Sequence, residues 1–257
     1  MRGAVVVVAA LAFAGACARP APAPADLDGI AHFLWQERGK GDDDALTDAL
    51  AKLQHALPAP QGDTAFTTGS LTNLARDEVR RERPDVDPAR GRGLFLADAL
   101  PCTIEQVADL LAAPDTQALY PDVFARYDRT MHGDVGHFLR GDDDALRWSL
   151  TLRFENPLAS YDERLEGGVR RVAGALVQDA FMTSPAVFDG PSRATFPYDF
   201  QIEAYWPRAG GVGHYLGFWR EVHVNALYDT NNDAALSFLV DAAHQWDEKT
   251  AKLCGHR

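Results

Sequence analysis

Between Asp233 and Leu253 the side chains Leu236, Leu239, Val240, Ala243, Trp246, Thr250 and Leu253 recur at three- and four-residue steps. That spacing lays a single apolar stripe along a long helix, whose other face carries Asp241, Gln245, Glu248, Lys249 and Lys252. Asn231, Asn232 and Asp233 offer N-cap oxygens, and Gly255 stands where a C-cap belongs. A one-striped helix of this length needs an apolar surface to lie on, and the segments before it can supply one.

Those segments alternate with the period of strands. Trp148, Leu150, Leu152 and Phe154 take one side of a run whose other side is Ser149, Thr151, Arg153 and Glu155. Tyr198, Phe200, Ile202, Ala204 and Trp206 alternate with Asp199, Gln201, Glu203 and Tyr205. Leu216, Phe218, Val222 and Val224 then oppose Trp219, Glu221 and His223. Val169 to Met182, broken by Gly174, reads as one bent strand or a pair, and Leu94 and Leu96 mark a short strand. Thr103 and Gln106 form a capping box for a helix carrying Ile104, Val107, Leu110 and Leu111, and a second short helix is expected over Pro121 to Tyr127. Upstream, two helices are expected between Asp26 and Leu57, broken by Gly39-Lys40-Gly41. A third is expected from Ser70 to Arg83, with Pro84 to Pro88 as a boundary. Gly-Asp-Asp-Asp-Ala-Leu occurs at Gly41 and at Gly141, but helical spacing follows one copy and alternation the other, so it marks no repeat.

The 257 residues, 46% of them hydrophobic, suffice for a substantial core. A net charge of -12 argues against binding to a phosphate backbone, which relies on clustered Lys and Arg. The one dense basic run, Arg76 to Arg83, is interleaved with Asp77, Glu78 and Glu82 and reads as a solvated face. No Gly-x-Ser-x-Gly elbow, His-Glu-x-x-His helix, phosphate-cradling loop or Cys-x-x-Cys pair is present.

The N-terminus bears on location. Arg2, the apolar run Ala4 to Phe13, and Ala14-Gly15-Ala16-Cys17 resemble a bacterial lipoprotein signal, with Ala14 where Leu is usual. That resemblance implies cleavage after residue 16, acylation of Cys17, and an envelope protein held to a membrane by its lipid. Ala18 in place of Asp implies sorting to the outer membrane, facing the periplasm. The alternative is an ordinary cleaved signal with an incidental Cys17. Arg-Pro-Ala-Pro-Ala-Pro-Ala at residues 19–25 reads as a stiff spacer. In an oxidising compartment the remaining Cys102 and Cys254 are either a disulfide or two buried thiols.

From Leu94 to Cys254 the order of elements resembles the START-like or SRPBCC superfamily. Leu94 to Leu111 stand as opening strand and helix, Leu119-Tyr120-Pro121-Asp122-Val123-Phe124 as the second helix region, and Phe218 to Leu253 as last strand and gripped helix. The resemblance implies an α+β fold in which a curved antiparallel sheet grips the C-terminal helix around a cavity. It would cover residues 91–257, with a helical segment at 26–90 that the minimal fold lacks. It also implies that the first helices support the end of the last one, bringing Cys102 near Cys254.

Under that reading an apolar or amphipathic small molecule such as a lipid lies between sheet and final helix, lined by Trp148, Leu150, Phe200, Ile202, Phe218, Leu239 and Trp246. No cofactor, metal or nucleic acid is expected, and a protein partner is not identified. A competing reading is an envelope enzyme of cyclase or hydrolase type with His223 and Glu221 as acid-base pair. A third is a structural or interaction lipoprotein without ligand. His132 and His137 lie in a polar loop and lack further ligands nearby. Asp229, Asn231 and Asp233 have the opening spacing of a calcium loop, but Ala234 replaces its Gly and Val240 its Glu, so capping explains them better. Asp142 to Asp144 read as a turn, as do Asn156-Pro157 and Tyr161-Asp162-Glu163.

Overall fold

The computed structural model describes residues 22–39, 42–58, 66–121, 123–155, 160–191, 193–226 and 228–255. The leader, Cys17 and the start of the spacer lie outside the described residues, as do Gly41, Asp122 and Asn156-Pro157. Two helices open the fold, α1 (Leu27–Glu37) and α2 (Asp43–Ala56), capped by the carboxylates of Asp26 and Asp42. Strand β1 (Thr67–Leu71) and a single helical turn, α3 (Arg76–Val79), follow. Then come β2 (Arg92–Leu100), α4 (Ile104–Leu111), α5 (Thr116–Leu119), β3 (Arg126–His132) and α6 (Val135–Arg140). The rest is β4 (Ala145–Glu155), β5 (Ser160–Val172), β6 (Ala175–Met182), β7 (Val187–Phe188), β8 (Thr195–Arg208), β9 (Gly211–Asn225), β10 (Tyr228–Asp229) and α7 (Asp233–Gly255).

The strands form one antiparallel sheet in the order β1-β2-β9-β8-β6-β5-β4-β3, with β10 beside β9 and β7 beside β5. The first long strand therefore pairs with the last, Leu94 opposite Phe218 and Leu100 opposite Val212. Among the described residues the architecture is α+β: α7 lies on one sheet face, and α1 and α2 lie on the other.

Several sequence expectations change. Of the helix expected from Ser70 to Arg83 only α3 forms, and Ser70 and Leu71 belong to β1, because Thr67-Thr68-Gly69-Ser70-Leu71 extends the sheet along β2 and the Phe95 ring covers Gly69. The short helix lies at Thr116–Leu119, not Pro121 to Tyr127, since Asp115 caps it and Arg126 already begins β3. The polar stretch after it holds both β3 and α6. Tyr161-Asp162-Glu163 lie within β5, paired with Phe154, Arg153 and Leu152. Ala173 and Gly174, both at positive φ, turn β5 into β6. The end of the Pro-Ala run is part of the fold: Ala23 is buried and its N–H donates to Asp48.

Cys102, beside the N-terminus of α4, is bonded to Cys254 in the last turn of α7, 152 residues away. The Gln106 side chain also donates to the Cys254 carbonyl, so α4 holds the end of α7 in two ways.

Candidate functional site

Both faces of the sheet are covered. On the outer face Tyr198, Phe200, Ile202, Ala204, Tyr215 and Trp219 pack with Trp35, Leu34 and Leu53 of α1 and α2. Tyr198, Phe200, Ile202, Ala204 and Tyr215 are at 0% exposure. On the inner face, towards α7, Trp148, Leu150, Leu152, Leu165 and Ala180 keep 5–7%. Met131, Leu216, Val224, Leu236 and Trp246 on that side remain partly exposed. The outer layer is packed as protein interiors are; the inner layer carries the partly exposed apolar side chains between the sheet and α7.

Strand register assigns the faces. Phe200 stands opposite Trp219 and Ile202 opposite Gly217, which places both on the outer face against α1. Neither Phe200 nor Ile202 is therefore available to a ligand under α7. Trp148, Leu150, Leu239 and Trp246 share one inner cluster. Phe218 packs with Leu94, Leu96 and Val240 of α7 in the neighbouring one. Gly167 makes room for the Trp148 indole, since a Cβ there would sit 2.3 Å from the ring.

What alternates with Phe200 and Ile202 is polar, and it faces α7. Asp199 accepts from Arg220 at 2.9 Å and from Gln201 at 2.5 Å. Burial raises the Asp199 pKa despite Arg220. Glu163 shares this face, opposite Leu152. It has no hydrogen-bond partner among the described residues, and burial, then the Asp199 charge, push its pKa up to about 8. At neutral pH it is largely an uncharged carboxylic acid.

A second polar group ties α7 down. His214 Nδ1 is 2.9 Å from Asp247 of α7, and its Nε2 lies 3.4 Å from Glu203. Burial opposes charge on this imidazole, but Asp247 and Glu203 outweigh it and raise the pKa to about 10. Tyr205 stacks on His214 at 4.4 Å and donates to Glu203, which also accepts from Gln178. Burial would raise the Glu203 pKa, yet His214 and these hydrogen bonds bring it below the ordinary value. His244 of α7 lies 3.0 Å from Asp98, and Thr250 shares a hydrogen bond with Tyr120.

At the opposite edge, Arg129 on β3 places its guanidinium 4.7 Å from the centre of the Trp148 ring. Its Nε and the Trp148 Nε1 are both buried without a hydrogen-bond partner.

His223 and Glu221 stand on the other side of β9 from Val222, so they do not face α7. His223 lies 3.2 Å from both Glu221 and Asp229, and Glu221 is held by Arg90 at 3.0 Å. This is an ion-paired cluster, and neither residue lines a described cavity. His132 bonds to Ser149, and His137 pairs with Asp143. Asp142 pairs with Arg140 in the turn before β4, and Asp229 accepts from the N–H of Asn231. Among the described residues no group of three or more His, Cys, Asp or Glu is placed to hold a metal. No described helix is long and apolar enough to cross a membrane. A cleft of about 720 Å³ opens on the outer face between Arg38, Glu82, Arg147 and Asp179. Those four are ion-paired with one another, Asp179 with Arg147 at 2.7 Å and Arg38 with Glu82 at 2.7 Å.

Sequence reasoning missed Glu163, Asp199, Arg220, Glu203, His214, Asp247 and Arg129. For Asp199 and Glu203 the signal was present in their strict alternation with a row that is itself fully covered. Alternation alone does not say which row meets α7.

No protein-family model matches the chain, and no curated protein matches it. Among solved structures it is similar to human StAR-related lipid transfer protein 5, at 9% identity and a TM-score of 0.49, over 86% of this chain and 98% of that one. Human STARD10 is similar at 9% identity and a TM-score of 0.49, over 83% and 79% of the respective chains. A fragment of the STAR-related lipid transfer protein from Xanthomonas axonopodis is similar at 14% identity and a TM-score of 0.43, over 78% and 97%.

Proposed function

We propose that this chain binds an apolar or amphipathic small molecule between the inner sheet face and α7, and does so tethered to the bacterial envelope through a lipidated Cys17. The observation that supports it is the surface between sheet and α7, where Met131, Leu216, Val224, Leu236 and Trp246 remain partly exposed beside buried Trp148 and Leu150. Seating a ligand there removes residual apolar surface from water at about 25 cal/mol per Å². Trp148, Leu150, Leu239 and Trp246 would touch its apolar part, and Phe218 would close the side against β2. Polar groups on the same face would orient its head.

Native mass spectrometry of the chain recovered from its own membranes tests the binding. A bound mass of lipid size, lost on organic extraction and regained on adding lipid, is the expected result. A ligand-free mass together with no uptake of an apolar fluorescent dye would overturn it. The tether has a separate test. Cys17→Ser should move the protein from the membrane to the soluble envelope fraction, and an unchanged distribution refutes the anchor.

A further inference from the structure

We propose that the inner face selects amphipathic molecules with an anionic oxygen head, carboxylate or phosphate, received by the Arg129 guanidinium and the Trp148 indole N–H. This rests on the ligand-binding reading above and names the ligand's chemistry.

The argument begins with what surrounds Arg129. Register places it opposite Leu150, with Met131 opposite Trp148 and Tyr127 opposite Leu152, all on the inner face. Its sequence neighbour Asp128 points the other way and pairs with Arg126, which also binds Asp162. No carboxylate among the described residues lies within ion-pair distance of Arg129. Burial lowers its pKa, opposed by Tyr127 and by no carboxylate. A guanidinium carries five donors and is poorly tolerated in an apolar setting without acceptors. The Trp148 ring beneath it satisfies the cation through its π face, but its own N–H is also without an acceptor. Two adjacent donors, one of them charged, thus stand on the same wall without an acceptor. A carboxylate or phosphate is the group that takes both, the guanidinium fork matching paired oxygens.

The rest of the face suits the tail of such a molecule. From Arg129 the register runs through Leu150 and Leu165 to Met182, roughly 14 Å of apolar floor at about 4.8 Å per strand. Glu163, two residues from Leu165, adds little repulsion because burial keeps it mostly protonated. Asp199 is already neutralised by Arg220.

The test uses the delipidated full chain loaded with Nile red, displaced by ligands sharing one sixteen-carbon tail: hexadecanoic acid, hexadecyl phosphate, hexadecanol and hexadecyltrimethylammonium. The expected result is that the two anions bind at least about tenfold tighter than the alcohol, which corresponds to about 1.4 kcal/mol. In Arg129→Gln that preference should vanish, the anions losing far more affinity than hexadecanol, and Arg129→Lys should retain part of it. The ratio of acid to phosphate shows which head fits. Inorganic phosphate alone should neither displace the dye nor compete with hexadecyl phosphate, and competition would mean a site for a free anion instead. If the alcohol binds but the anions gain nothing, or Arg129→Gln keeps their advantage, the head-group assignment falls and the apolar site stands. If no ligand displaces the dye, or the dye is not taken up, both fall.

Discussion

Phe200 and Leu150 are both large, apolar and on strands, yet they do different work. Phe200 touches the Trp35 ring edge-on at 5.4 Å and is fully buried between sheet and α1. Phe200→Ala should lower unfolding stability by about 3–5 kcal/mol in a denaturant titration and leave uptake of an apolar dye unchanged. Leu150→Ala, on the face under α7 where the proposed ligand would lie, should alter dye uptake. Equal behaviour of the two variants would show that the faces are not distinct. Glu163 gives a pH signature. Its folded pKa, near 8, lies above the ordinary carboxylate value of 4.5. The contribution from this group is therefore fully present below pH 4.5 and is lost as pH rises towards 8. Glu163→Gln should flatten that fall, so the variant gains on the parent between pH 5 and 8 in urea midpoints. Glu163 was illegible in the sequence because Tyr-Asp-Glu after Asn-Pro reads as turn chemistry. Arg129 was hidden because Arg126 to His132 carries only Tyr127 and Met131 as apolar residues, too few to mark an edge strand.

Among the elements, the long strands and α7 were legible because each is apolar along one row. The Thr103–Gln106 box fixed the start of α4 at Ile104. What periodicity does not carry is which layer each row meets. In β8 the apolar row meets α1 and α2, and the polar row meets α7, the reverse of what one covered face would demand. The same inversion removes Phe200 and Ile202 from the candidate site and brings in Asp199, Gln201 and Glu203. The end of α7 rests on the Cys102–Cys254 bond, which closes a loop of 152 residues. Cys254→Ser should therefore lower stability by about 3–5 kcal/mol under oxidising conditions and by nothing further once reductant is added to both proteins. Thermal unfolding with and without reductant reads this directly.

The N-terminal helices share one core with the sheet, since Ile30, Leu34, Trp35 and Leu53 pack in the same cluster as Tyr198, Phe200 and Trp219. A chain lacking residues 26–58 would expose that apolar layer to water. Such a truncation should lose cooperative unfolding and bind hydrophobic dye non-specifically; a sharp unfolding transition would show the C-terminal part to be self-sufficient. The pairing of Leu94 with Phe218 has a consequence for timing. The strands from β3 to β8 can pair with one another, but β1 and β2 join them only through β9, and the sheet face of α1 is uncovered until β8 has been made. Contacts this distant in sequence form late and slowly. During biosynthesis β2 therefore keeps one edge unpaired, and α1 and α2 keep an apolar face uncovered, until β9 and β8 have been made, so the polypeptide depends in that interval on whatever shields nascent chains from aggregation.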